Sequence, residues 1–339
     1  MLRFYRRPML FLFGVVVLPL ALTVSAVYRI QRQLVLEQSL QHLAVTAWLA
    51  AEIVERTLAQ TLQIEALLAQ EPDVQLALKR GDAEALSQRI VRLLGLAPAL
   101  REAAFVRADG TVLAAVPPND LGASVAETSW FQQTRGGDTP LISPVYLADG
   151  RKVISVATPV FGSSAELLGV LHVLYGVDDV RAWLQTVRVE PDGFLYVVDH
   201  QQQLVVHPRQ ILPGRPKRVA DWPPVAASLD AGAAQLTFQE PRTRRTWLAA
   251  AHPVGQRGWR VVATQPRREA LRTVHRIFLW LGVLLLAVLA MVLLVCRRWV
   301  RMHDFSLHLL RQIAKLLRQV QQQRTLGRRK PDARGGGEA

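Results

Sequence analysis

Two uncharged apolar runs bracket this chain and constrain it more than any other feature. "MLFLFGVVVLPLALTVSAV" (9–27) holds no charge for 19 residues, and "IFLWLGVLLLAVLAMVLLVC" (277–296) holds none for 20. Each matches the roughly 20 apolar residues that cross a bilayer's hydrocarbon core. The first run follows "RFYRR", as a secretory signal would. It exceeds the usual length of a signal's apolar region, and a helical pattern follows with no cleavage-site break, so an uncleaved span is expected. The chain must therefore fold its middle region between two membrane helices, at 9–28 and 277–296.

The charge distribution orients that arrangement. The net charge of +14 resembles a nucleic-acid footprint until it is divided by segment. Residues 1–8 carry +3, and residues 297–339, with 11 Lys/Arg against 3 Asp/Glu, carry +8. The middle region carries only +3, from 27 basic and 24 acidic residues. Both ends then read as cytoplasmic under the positive-inside rule, with the large middle region in the periplasm of an inner-membrane protein. Arg267, Arg268, Arg272 and Arg276 oppose this mildly, but a segment of that length is translocated largely regardless of charge. No nucleic-acid partner is expected. The only cysteine, Cys296, allows no internal disulfide, so the middle region must be stable through its own core.

After the first span, Leu36, Leu40, Leu43, Ala47, Ala50, Val54, Thr57, Thr61, Ile64 and Leu68 recur at alternating steps of four and three. That heptad-like stripe predicts a long helix, ending near "EPD" (71–73), which packs on its own domain, on a second copy of the chain, or on both. The span and the helix together would form a rod of about 60 residues, roughly 90 Å long at 1.5 Å per residue. From about residue 101 the period becomes that of strands. Asp109-Gly110 and Asp149-Gly150 each sit between apolar segments as hairpin signals. "ELLGVLHVLYGV" reads as a buried strand, and "DDVRAWLQTV" (178–187) opens with acids suited to a helix N-terminus. "YVVDHQQQLVVHP" (196–208) then repeats the pattern of "FVRADGTVLAAVP" (105–117), and "AAHPV" (250–254) answers "VATPV" (156–160). Shared order of this kind predicts two similar modules in tandem.

The expected fold class is α+β: two tandem PAS-like antiparallel-sheet modules on a long N-terminal helix, flanked by two transmembrane helices. The expected divisions are a cytoplasmic N-terminus (1–8), a span (9–28) and a helical segment (29–100). A membrane-distal module (101–188), a membrane-proximal module (189–265) and a linker helix (266–276) follow, then the second span (277–296). The cytoplasmic end divides into an amphipathic helix (297–323), with Phe305, Leu309, Ile313, Leu316 and Val320 on one stripe, and a basic tail (324–339) of disordered composition.

The residues "SWFQQT", "ISPVYLADGRKVISVATPV", "GVLHVLYGVDDVRAWL" and "GFLYVVDHQQQLVVHP" resemble the double Cache family of bacterial extracytoplasmic sensors, over about residues 10 to 296. The resemblance implies a small ligand in the distal module and a proximal module that links it to the membrane. Amino-acid-binding members carry an arginine two positions before the tryptophan of an aromatic pair and an aspartate on the last distal strand. Those charges would grip an amino acid's carboxylate and ammonium. Here the positions hold Thr128 and Leu174, so an amino-acid ligand is not expected. The candidate pocket wall is Trp130, Phe131, Tyr146, Ser155, His172 and Tyr175. Strand alternation puts His172 and Leu174 on one face and Val173 and Tyr175 on the other, so His172 has the better claim.

No metalloprotease helix, nucleophile elbow, phosphate-cradling loop or cysteine cluster is present in the sequence. "RGGDTP" (135–140) lacks the acid and the aromatic that complete a cyclase signature. Asp199, His200 and His207 are expected in a solvated turn rather than at a metal. The sequence thus points to a non-enzymatic sensor without cofactor, whose ligand class is unknown. Its expected partners are the bilayer, a second copy of the chain and a cytoplasmic signalling protein, because no effector of its own is expected. Two alternatives stay open: the front part of a longer diguanylate cyclase or histidine kinase receptor, and an extracytoplasmic protein-binding or assembly protein.

Overall fold

The computed structural model describes residues 2–97, 99–187, 189, 192–208, 216–240, 243–295 and 297–298. Residues 1–273 form one unit, and 274 onwards a second.

In the first unit, helix α1 (Leu2–Gln70) runs for 69 residues, roughly 100 Å at 1.5 Å per residue. It contains the first apolar run, of which the side chains of 9–13 and 15–17 lie outside the described residues. Pro72 ends α1, because the residue before a proline avoids the helical region; Glu71 is extended at φ −61°, ψ 126°. Pro72 then serves as the first residue of α2 (Pro72–Arg80), which closes on left-handed Gly81. α3 (Ala83–Leu96) begins where the Asp82 carboxylate accepts from the Ala85 N–H.

The distal sheet comprises β1 (Leu100–Arg107), β2 (Val112–Val116), β3 (Leu141–Ile142), β4 (Tyr146–Ala148), β5 (Arg151–Phe161) and β6 (Leu167–Gly176). Its order is β2-β1-β6-β5-β3, with β4 also on β5. The proximal sheet comprises β7 (Phe194–Val198), β8 (Leu204–Val206), β9 (Ala234–Gln239), β10 (Thr246–Val254) and β11 (Trp259–Pro266), in the order β8-β7-β11-β10-β9. The two orders are the same pattern. Each also carries a helix between its second and third strands: α4 (Ser129–Arg135) in one and α6 (Pro223–Ala231) in the other. The tandem repeat read from the sequence is thus a repeat of topology. A further helix, α5 (Asp178–Thr186), follows β6, where the acidic pair placed it.

The Asp149-Gly150 signal forms a two-residue turn. Ala148 pairs with Arg151, and both turn residues take positive φ (49° and 73°), as a type I′ hairpin requires.

The stripe on α1 packs on its own chain. Leu43, Ala47, Ala50 and Val54 are buried in the main core, against the proximal sheet, and Leu68 is buried further along, towards the distal one. A different face of α1, with Val45, Trp48, Leu49 and Ile53, is exposed. Ile64, placed on the stripe by sequence, is exposed as well. The helix is held at its proximal half by Glu55, which pairs with Arg257 at 3.2 Å in the β10–β11 turn.

The "DHQQQLVVHP" hairpin departs from its expected character as a solvated turn. Asp199 is fully buried and His207 nearly so. One Asp199 oxygen accepts from the N–H groups of Gln201 and Gln203, and the other accepts from Val145 N–H in the distal module at 2.9 Å. Beside it, the Lys152 ammonium donates to the Leu204 carbonyl at 3.0 Å. The hairpin is buried because it forms the seam between the modules. His207 itself lies against Phe194 and Tyr196, with ring centroids 4.8 and 5.8 Å away.

After α7 (Arg267–Ala270), the helix Arg272–Val295 is long and apolar enough to cross a membrane, and it is the one such helix among the described residues. The expected amphipathic helix at 297–323, apart from Arg297 and Arg298, and the tail at 324–339 lie outside the described residues.

Candidate ligand-binding site

The distal sheet has two unlike faces. Phe105 on β1, Val156 on β5 and Val173 and Tyr175 on β6 belong to the core shared with α1, α2 and α3. Alternation turns Glu102, Ala104, Ser155, Ala157, His172 and Leu174 to the opposite face. Cross-strand pairing sets these side by side: Glu102 opposite Leu174, Ala104 opposite His172, and Ser155 opposite Leu174.

Helix α4 covers one end of that second face. Its consecutive aromatics diverge, as neighbours on a helix must. Phe131 enters a small core with Val106, Val112, Ala115, Ala157 and Val170. Trp130 stacks on the His172 ring, with centroids 4.0 Å apart and planes 8° from parallel, and meets Phe131 edge-on at 5.8 Å. Thr128 does not cap the helix; its hydroxyl donates back to the Val125 carbonyl at 2.7 Å.

The other end of the face is hollow. A cavity of about 430 Å³ is lined by Glu102, Ala104, Val116, Asp120, Tyr146, Asp149, His172 and Leu174, among others. That size falls in the usual range for small-molecule sites. The Tyr146 phenol is hydrogen-bonded to the Ser155 side chain, and burial is the main cause that raises its pKa. Burial pushes the His172 imidazole down to about 4, so the ring is neutral at physiological pH, and its Nε2 is buried with no hydrogen-bond partner.

The six residues singled out by sequence thus divide by position. Tyr146 and His172 line the cavity, Ser155 bonds Tyr146 from behind, and Trp130 backs His172. Phe131 is core beneath α4, and Tyr175 points away on the other face. Sequence reasoning passed over the acidic lining residues Glu102, Asp120 and Asp149, which come from β1, a short 3-10 turn (Pro118–Asp120) and the β4–β5 turn.

On the far face, directly behind the cavity, Tyr175 has a partner that the sequence did not suggest. Its hydroxyl donates to Oε1 of Glu65 on α1, and Thr158 of β5 donates to Oε2 at 2.9 Å. Glu65 is completely buried. Burial is the largest influence on it and raises its pKa to about 7, against the opposing pull of the two hydroxyls. The only local hint is polar: Thr57 and Thr61 interrupt the apolar stripe two turns and one turn before it, respectively.

Known proteins agree with this architecture. The Cache domain family matches residues 27–274, most of the chain and both modules. The chain belongs to the Cache domain family. No curated relative matches it. Among solved structures, this Cache protein is similar to the extracellular domain of mmHK1S-Z2, assigned as a histidine kinase. Identity is 16% and the TM-score 0.53, over 70% of this chain and 99% of that one. The ligand-binding domain of Campylobacter jejuni chemoreceptor Tlp3, solved with 4-methylisoleucine, matches at 14% identity and TM-score 0.55, over 70% and 94%. That of Pseudomonas fluorescens chemoreceptor CtaA, solved with L-isoleucine, matches at 15% and 0.54, over 72% and 98%. These complexes correct one expectation. Two domains of this fold are solved with amino-acid ligands, against the expectation that this fold would not hold one here.

Proposed function

We propose that this Cache protein is a membrane-anchored sensor that binds a small molecule in its distal module, outside the cytoplasm, without turning it over. The observation that carries the reading is the cavity of about 430 Å³ on the second face of the distal sheet, with a buried, unpartnered His172 Nε2 at its wall. A protein-docking module with a filled distal core would have neither.

The geometry also supports a route for the signal. Strand β6 presents His172 and Leu174 to the cavity and, one residue on, Tyr175 to Glu65 of α1. A ligand that shifts β6 by a fraction of an ångström therefore moves a group bonded to the long helix. α1 leads back to the first apolar run, and Arg272–Val295 supplies the second membrane helix. The exposed Val45, Trp48, Leu49 and Ile53 face offers a seam for a second copy of the chain. On this reading the displacement reaches a cytoplasmic signalling partner.

A thermal-shift screen of residues 27–274 tests the proposal, using carboxylates, amines, amino acids, purines and sugars. A ligand at one hundred times its Kd stabilises by about 2.7 kcal/mol, which is roughly 5–11 °C for a domain of this size. A hit abolished in Trp130→Ala and retained in His200→Ala locates the site in the distal module. No shift from any class overturns the sensor reading.

A further inference from the structure

Where the packing of α1 calls for an apolar residue, the chain places Glu65. Ala51, Leu58 and Glu65 are seven apart, so all three fall on the face that the helix buries. Ala51 lies in the main core and Leu58 packs against it, whereas Glu65 brings a carboxyl to the same depth. Burying a carboxylate is costly unless a counter-charge comes with it. None does. Glu65 belongs to none of the ion pairs among the described residues. The groups that face it are the hydroxyls of Tyr175 on β6 and Thr158 on β5, and Thr61, one turn earlier on α1, bonds the same Tyr175. Tyr175 is the one titratable group among these, and burial and then the Glu65 charge hold its phenol above its ordinary value. The charged residues of α2 are engaged elsewhere or turned to solvent: Asp73 pairs with Arg89, Lys79 pairs with Glu166, and Arg80 is exposed.

A carboxyl in this setting is stable with its proton on. As a neutral acid it donates to one hydroxyl and accepts from the other, so both contacts across the interface of α1 and the sheet are kept. As an anion it leaves an uncompensated charge in the core, which the interface relieves by parting enough to admit water. The position of the group matters as much as its burial. Strand β6 turns His172 and Leu174 to the cavity and Tyr175 to Glu65, and α1 runs back to the first apolar run. We propose, on the basis of the sensor reading above, that Glu65 is a proton-operated latch between α1 and the distal sheet, so that extracytoplasmic acidity is a second input to the element that a ligand moves. The latch is closed by the proton and released without it. It works near neutrality, because burial raises the pKa of the carboxyl to about 7.

Hydrogen exchange read by mass spectrometry on the full chain in nanodiscs, corrected for the intrinsic pH dependence of exchange, tests this. Opening returns Glu65 to its ordinary pKa of 4.5, so it becomes about tenfold more favourable per pH unit up to about pH 7 and is constant above that. The amides of 61–68 and 171–175 therefore open about 30-fold more readily at pH 8.5 than at pH 5.5, while those of 248–254 in the proximal sheet do not change. Glu65→Gln, whose neutral amide also donates and accepts, abolishes the dependence. Tyr175→Phe keeps the carboxyl but removes a hydroxyl that favours its ionised form, so the levelling-off moves to higher pH, and this variant carries the test if Glu65→Gln does not fold. Four results overturn the inference: no pH-dependent opening of the two segments, an equal opening of the proximal sheet, a dependence that survives Glu65→Gln, or a levelling-off unmoved in Tyr175→Phe. All four leave the sensor reading intact, since the ligand screen is run at fixed pH. A silent screen beside a Glu65-dependent opening removes the ligand alone.

Discussion

Glu65 makes this protein's stability depend on pH in a window where few carboxylates act. Its side chain is fully buried between α1 and the distal sheet, and its pKa is raised from 4.5 to about 7. Below pH 4.5 the carboxyl is protonated in both the folded and the unfolded chain, and its contribution is fully present. As pH rises, the unfolded chain releases the proton first while the folded chain retains it. Stability then falls until the folded group has also ionised, and it levels off above about pH 7. At 1.36 kcal/mol per pH unit of separation, the loss is roughly 3 kcal/mol, or about 6–12 °C in Tm for a domain of this size. The facing groups do not titrate alongside it. Thr158 has no charge, and burial and the Glu65 charge hold the Tyr175 phenol above its ordinary value. Glu65→Gln keeps a neutral side chain that accepts from one hydroxyl and donates to the other. Urea denaturation of residues 27–274 and of the variant, at pH 4.5 and pH 8.5, measures the effect. Elsewhere-titrating groups, such as Glu102 and the exposed Glu166–Lys79 pair, cancel in the difference. The stability of wild type relative to Glu65→Gln drops by roughly 3 kcal/mol between the two pH values. A flat difference would refute the placement of Glu65 as a protonated group under the sheet.

Two other perturbations address separate parts of the molecule. Trp130→Ala removes the ring that shields His172, so the His172 pKa climbs from about 4 towards 6.5, and an NMR titration of the imidazole protons reads it; an unchanged value would show that the stack does not bury the ring. Asp199→Ala strips three backbone N–H groups of their acceptor, including Val145 across the module seam, and costs on the order of 3 kcal/mol; amide exchange at Val145 rises with it, whereas protection unchanged from wild type would mean the seam is held by other contacts.

Much of this architecture is local in origin and so is written in the sequence. The Asp149-Gly150 turn needs positive φ at both positions, which this residue pair supplies most readily, and the strands on either side follow from it. The repeat of topology is visible because each module buries the same alternation on the same order of strands. Proline at 72 ends α1 whatever surrounds it. Period-two alternation by itself separates His172 from Tyr175. Alternation says only that two residues face opposite ways, however, not which face lies on α1. Packing decided that. It turned Tyr175 towards a glutamate 110 residues away, sent Phe131 into the core while Trp130 went to His172, and buried Asp199 because a second module lies against it. The acidic cavity has the same origin. Glu102, Asp120 and Asp149 are ordinary, polar and far apart along the chain, and nothing local marks them as a group. They become one negative site only when the β2-β1-β6-β5 order folds β1, the turn after β2 and the β4–β5 hairpin around a single hollow. Charges interact through space, and only the tertiary fold fixes those distances.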